Sequence, residues 1–199
     1  MASAYTKSLI KTFLQQHNDD IMNAIVDTGL YFPAVVAQLS VESANGTSDL
    51  AAKYNNYGGV KGNADNGVRM DTTETNNNTP TEAYFKVYPN FQHFMRDYVG
   101  NLQTPRYING GELGGIFEAT SPEDQIKRMA SAGYSTMTPS VYLKKTGIQD
   151  RINATRELLP FGLITSENIP ANSGNMLTAC DIFHLNNNPI DNYTANSCN

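Results

Sequence analysis

The residues that could do chemistry here are carboxylates. The three histidines, His17, His93 and His184, are far apart, and no HExxH or CxxC pattern occurs, so metal chemistry is disfavoured. No serine sits in a GxSxG elbow. The glycines at 110–111 and 114–115 lack the Lys-Ser/Thr of a phosphate loop and the strand-before-helix setting of a dinucleotide site, and they read as a flexible surface loop. Glu42 stands out by its setting, near the end of an otherwise apolar helical stretch that closes at Gly46. Partial burial disfavours the charged carboxylate. The negative end of the helix dipole acts in the same direction, by a few tenths to about 1 kcal/mol. A carboxylic acid kept protonated near neutral pH is the proton donor that glycosidic cleavage requires. Position alone also fits a solvated glutamate at a helix end, so the reading depends on the neighbouring residues.

The surrounding pattern is mainly helical. Residues 4–17 form an amphipathic repeat with Leu9, Ile10, Phe13 and Leu14 on one face, and Asn18 or Asp19 can cap a second helix that stops before Gly29. Pro33 suits the first turn of a helix over roughly 33–44 that carries Glu42, and Thr47 or Ser48 caps a short one through Tyr54. From Asn55 to Thr81 the chain is rich in Gly, Asn and Thr. Val68–Thr73 and Ala83–Tyr88 read as strands, with 74–81 as a long hairpin tip. Helical spacing returns at Phe91–Leu102, capped by Asn90. It returns again from Ser121-Pro122 to Gly133, and in one long helix from Pro139 to Pro160. The expected architecture is mainly α (α+β): an α-lobe, a small β-lobe at about 60–88, a catalytic unit over 1–160 and a tail over 161–199. Cys180 and Cys198 fall in that tail, where one local disulfide and two free thiols are both open readings. A net charge of −5 over 199 residues argues against nucleic-acid binding by charge, and no apolar run is long enough to span a membrane.

Several motifs, in order, resemble glycoside hydrolase family 73, the glucosaminidases that include bacterial autolysins and flagellar muramidase-like hydrolases. They are Ala37-Gln-Leu-Ser-Val-Glu-Ser-Ala-Asn-Gly46 and Asn55-Asn-Tyr-Gly-Gly-Val-Lys-Gly62, then Asp71-Thr-Thr-Glu74 and Tyr84-Phe-Lys-Val-Tyr88 with the helix after it. Pro105-Arg-Tyr107 and Ala132-Gly-Tyr134 complete the set. Tyr57-Gly58-Gly59-Val60 departs from the family's Phe-Gly-Ile. The resemblance covers about residues 5–157. It implies a lysozyme-like α-lobe and a mobile β-lobe with the substrate cleft between them. It carries the general acid onto Glu42, the second acid onto Glu74 and a cleft tyrosine onto Tyr134. Asp71 and Glu82 are rivals to Glu74. A second carboxylate, or the substrate's own 2-acetamido group, is what the chemistry needs on the far side of the sugar.

Tyr57 and Tyr107 could offer an aromatic face to a pyranose, although a core role suits each as well. Lys61 could meet acidic lactyl or peptide groups, or be simply solvated. Asn55 and Asn56 suit side-chain bonds that hold their loop. The expected activity is hydrolysis of β-1,4 bonds of bacterial peptidoglycan as an endo-β-N-acetylglucosaminidase, with no cofactor and no metal. A muramidase using the same carboxylates is the alternative, and a wall-binding or virion structural protein that keeps the fold without turnover is another. The opening residues show no signal-peptide pattern, which suits a phage lysin or virion-associated hydrolase acting at the cell wall. The tail suits a docking arm for a virion or other protein partner.

Overall fold

The computed structural model describes residues 1–74, 79–145 and 147–158. The expected tail at 161–199, with both cysteines, lies outside the described residues. The elements in order are α1 (Ala4–Ile25), α2 (Phe32–Glu42), α3 (Asp49–Tyr54), β1 (Gly67–Glu74), β2 (Thr79–Lys86), α4 (Phe91–Leu102), α5 (Pro105–Ile108), α6 (Pro122–Ser131), α7 (Pro139–Lys145) and α8 (Ile148–Leu158). A 3-10 turn over Ile116–Glu118 precedes α6.

The helix that ends at Glu42 is the hub. Every residue of α2 from Ala34 to Ser40 is buried, and it packs against α1, α6 and α8. A helix apolar all round is stable only when enclosed in this way. Ile10, Phe13, Phe94, Ile116, Ile126 and Ile152 belong to the same core and have no exposed surface. Each such side chain contributes about 1.5–3 kcal/mol by leaving water.

The first correction concerns α1. One 22-residue helix replaces the two expected, because Phe13, His17 and Ile21 keep the buried stripe in phase across Asn18-Asp19. The second concerns the end of the fold. The single helix expected from Pro139 is two, α7 and α8, with Gly147 between them at φ +76°. That left-handed backbone is where glycine ends a helix.

In the β-lobe, β1 and β2 pair antiparallel from Gly67–Lys86 to Glu74–Thr79, so the strands run further into the Asn- and Thr-rich stretch than expected. Pro80 is tolerated opposite Thr73 because both strands of a two-stranded ribbon are edges. The glycine loop reaches the surface at Glu112 and Leu113, as expected, but its glycines are closely packed. A Cβ on Gly111 would lie 2.1 Å from the Ser131 carbonyl, and one on Gly110 would lie 1.9 Å from that of Gly114. These glycines allow backbone to pack on backbone.

Candidate active site

Glu42 is the last residue of α2 and faces a cleft of about 840 Å³. One wall is the segment Gly58–Lys61 with Lys86 at the base of the hairpin. The other is built by Asp97 and Tyr98 of α4, Tyr107, the segment Gly133–Met137 and Tyr142 of α7. The Tyr142 hydroxyl donates to Glu42 Oε1 at 2.6 Å. Glu42 keeps an open surface toward the cleft, while the protein walls displace much of the water around its carboxyl. That burial raises its pKa above the ordinary carboxylate value, and the Tyr142 hydrogen bond partly offsets the rise. Tyr98, Tyr134 and Tyr142 have raised pKa values, through burial first and the nearby Glu42 carboxylate among the further causes. They therefore stay neutral hydroxyl donors around the acid.

The loop that forms the near wall is held by its asparagines. Asn56, 1% exposed, donates to the carbonyls of Val60 and Lys86 and accepts the Val60 N–H. Asn55 caps α3 in left-handed geometry and donates to the Tyr88 carbonyl. Lys61 pairs with Phe85 beside the hairpin, and its ammonium lies 4.3 Å from that ring's centroid. Lys86 Nζ bonds both Asp97 oxygens, at 2.9 and 3.1 Å, and Tyr88 donates to the same carboxylate. Strand β2 is thereby tied to α4 at the cleft floor.

The structure brings Glu42, Tyr134 and Lys61 to one cleft. Tyr134 donates weakly to the Gly58 carbonyl at 3.4 Å, and its ring centre is 6.3 Å from that of Tyr142. The two expected sugar platforms are corrected. Tyr57 is 7% exposed and packed among His17, Phe91 and Phe94, away from the cleft. Tyr107 does line the cleft but is 2% exposed, with the Arg106 guanidinium 5.2 Å from its ring centre. Neither offers a free face, because both rings are needed to close the apolar core.

Glu74 ends β1 opposite Thr79. It stands seven residues beyond the hairpin base where the cleft lies, roughly 23 Å along an extended strand. Its rivals Asp71 and Glu82 face each other across the ribbon, with Glu82 paired to Arg69. Among the described residues, the carboxylates lining the cleft are Glu42 and Asp97.

Sequence reasoning missed Tyr142, Asp97 and Lys86 as parts of the site. At 3% exposure Tyr142 fits an apolar core position of its helix, which is all that its spacing in the sequence signals. Its hydroxyl is what reaches Glu42, and periodicity carries no signal for that. Arg106 donates to the carbonyls of Ala132 and Gly133 and so holds the segment that presents Tyr134. No group of three or more metal-ligating side chains occurs among the described residues, and no described helix is long and apolar enough to cross a membrane.

No curated protein matches the sequence. The glucosaminidase family, described as mannosyl-glycoprotein endo-beta-N-acetylglucosaminidase, matches residues 19–153. Among solved structures, the fold is similar to the catalytic domain of the autolysin Auto from Listeria monocytogenes. That match has 23% identity and a TM-score of 0.60, over 74% of this chain and 86% of that one. It is similar also to the glycoside hydrolase domain of Salmonella typhimurium FlgJ, with 25% identity and a TM-score of 0.54, over 76% and 92% of the two chains. A peptidoglycan hydrolase mutant from Sphingomonas sp. A1 matches at 17% identity and a TM-score of 0.50, over 74% and 98%. The architecture is the lysozyme-like α-lobe with a β-hairpin that these structures share. With the match spanning well over half of the chain and the cleft acid inside it, the protein belongs to the glucosaminidase family of glycoside hydrolases, family 73.

Proposed function

We propose that the protein is an endo-β-N-acetylglucosaminidase of bacterial peptidoglycan and that Glu42 is its general acid. The observation that carries the reading is the setting of Glu42: the terminal residue of a buried helix, open to a cleft of about 840 Å³, walled by neutral tyrosine hydroxyls, with a pKa raised by burial. Such a carboxyl holds the proton that the leaving sugar oxygen needs. Tyr134 is assigned to the N-acetyl group or to a water beside it. Lys61 gives the near wall a cationic group toward a glycan that bears lactyl and peptide carboxylates, while the Lys86 charge is matched by Asp97. The second acid is assigned to Glu74, with closure of the hairpin over bound substrate bringing it toward the cleft. The substrate's 2-acetamido oxygen is the alternative partner on the far face. The glucosaminidase match and the peptidoglycan-hydrolase neighbour support this substrate class.

The test is loss of turbidity of purified cell walls, followed by borohydride reduction of the fragments. Wild type should clear the walls and leave N-acetylglucosaminitol at the new ends. Reduced muramic acid there would assign the alternate bond and a muramidase. Walls left intact by the wild type would remove the enzymatic reading.

A further inference from the structure

Gln38 lies one helical turn before Glu42 on α2 and has no exposed surface. Its Oε1 accepts the hydroxyl of Tyr98, which is buried on α4. A carboxamide has one accepting end and one donating end. With the oxygen taken by Tyr98, the NH2 end faces away from it. Within ordinary hydrogen-bond geometry that nitrogen has no other partner among the described residues. Gln38 and Glu42 are four residues apart and share one face of α2, and the group seated on Glu42 there, 2.6 Å from its Oε1, is the Tyr142 hydroxyl. A buried amide without an acceptor is costly, so closure onto the Tyr142 oxygen is favoured. A hydroxyl that receives an N–H on its oxygen has its own proton to give, and Tyr142 gives it to Glu42 Oε1, 2.6 Å away.

We infer that the row Tyr98–Gln38–Tyr142 fixes the direction of the hydrogen bond onto Glu42, so that Oε1 is always the acceptor and the acid carries its proton on Oε2. Gln38 and Tyr98 are then positioning residues that act through Tyr142. In the reaction the proton leaves Oε2 for the glycosidic oxygen. The C–O bond breaks, its electron pair goes to that oxygen, the anomeric carbon bonds to water or to the substrate's 2-acetamido oxygen on the far face, and the new carboxylate keeps the Tyr142 bond on Oε1. The Tyr142 proton itself is not transferred. The inference rests on the reading of Glu42 as the general acid. The other groups near this carboxyl are Tyr98 of α4 and Tyr134 before α7. Lys61, Lys86, Asp97 and Arg106 line the same cleft, and Arg151 of α8 reaches Asn45, three residues past the acid.

The amide orientation decides a sign. A donating Tyr142 stabilises the Glu42 carboxylate, so its removal raises the Glu42 titration midpoint. With the amide reversed, Tyr142 would donate to Gln38 and accept from protonated Glu42, and its removal would lower the midpoint. The experiment is a carbon-13 NMR titration of the Glu42 carboxyl in the full chain, for wild type, Tyr142→Phe, Gln38→Leu and the double variant. Tyr142→Phe should raise the midpoint by about one to two pH units, the effect of a hydrogen bond to a charged group. Gln38→Leu should raise it by less, and should add nothing on the Tyr142→Phe background. A lowered midpoint in Tyr142→Phe, an unmoved one in Gln38→Leu, or full additivity would overturn the row. If Gln38→Leu does not fold, Tyr98→Phe, which frees the amide to turn, must show a rise smaller than that of Tyr142→Phe, and no rise overturns the row. The titration needs no substrate. Wild type inert toward walls would remove the proposed function and leave this result standing, while active wild type with a lowered Tyr142→Phe midpoint would remove only the row.

Discussion

Glu42 stands at the end of a helix that is enclosed from Ala34 to Ser40, and that position has opposite consequences for turnover and for stability. The raised pKa means that the folded state disfavours the ionised carboxylate relative to the unfolded chain. Stability is therefore full below the ordinary carboxylate range and is lost as the pH rises through the folded pKa. Glu42→Gln should lower wall hydrolysis by about 10²–10⁴-fold. The same change should raise the melting temperature at pH 7–8, with a gain that shrinks as the pH approaches 4. Equal melting temperatures at pH 7 would show that the site carries no such cost. The turn just beyond makes a second claim. Ala44, Asn45 and Gly46 all have left-handed backbone, at φ +50°, +59° and +84°. The Ser43 hydroxyl holds the turn by donating to the Leu39 carbonyl and accepting the Gly46 N–H. Asn and Gly tolerate this conformation, but the Cβ of alanine does not, and Ala44 is exposed with no packing to lose. Ala44→Gly should therefore stabilise the protein, by about 1 kcal/mol in urea unfolding. A destabilised variant would show that the turn is not strained.

Helices were legible where their ends carry caps. Asn90 accepts the His93 N–H and Ser121 accepts that of Asp124, both at 3.0 Å, and these two starts were read correctly because a cap is a local signal. The boundary at Asn18-Asp19 was misread because cap residues also occur on the exposed side of an unbroken helix, and only the buried partners decide between the two. One of those partners is His17, 8% exposed, stacked on Phe91 at 4.1 Å and edge-on to Tyr57 at 4.9 Å. Burial holds its imidazole below the ordinary histidine pKa, with Asp20 opposing. For a base with a depressed folded pKa, protonation favours the unfolded chain, so stability declines as the pH falls below about 6.5 toward the folded value. Glu42 acts in the other direction in acid, so the two need separate variants. His17→Phe, which fits an aromatic cluster, should flatten the decline below pH 6.5 in thermal melts. An unchanged slope would place the acid-sensitive group elsewhere.

At the scale of the whole molecule, the sequence carries the order of the motifs but not which of them meet. Glu42 and Tyr142 are 100 residues apart and share a hydrogen bond. Tyr57 is next to two glycines of the cleft and points into the core instead. These outcomes depend on how α2, α4 and α7 pack, which no local pattern encodes. Packing also bears on where the catalytic unit ends. Both ends of α8 are clasped to the start of the chain: the Ala2 N–H donates to Glu157 at 2.7 Å, Lys7 pairs with Glu157, and Thr6 donates to Asp150 in the first turn. Ile148, Ile152 and Ala154 of α8 have no exposed surface. The family match over 19–153 and every cleft residue lie before the end of that clasp. A chain ending after Gly162 should therefore melt cooperatively within a few degrees of the full protein and still clear cell walls. A chain ending after Gly147 leaves those α8 contacts unmade and should lose its cooperative melt. If the longer truncation folds but no longer hydrolyses walls, residues beyond 162 contribute to the cleft and the catalytic unit extends past α8.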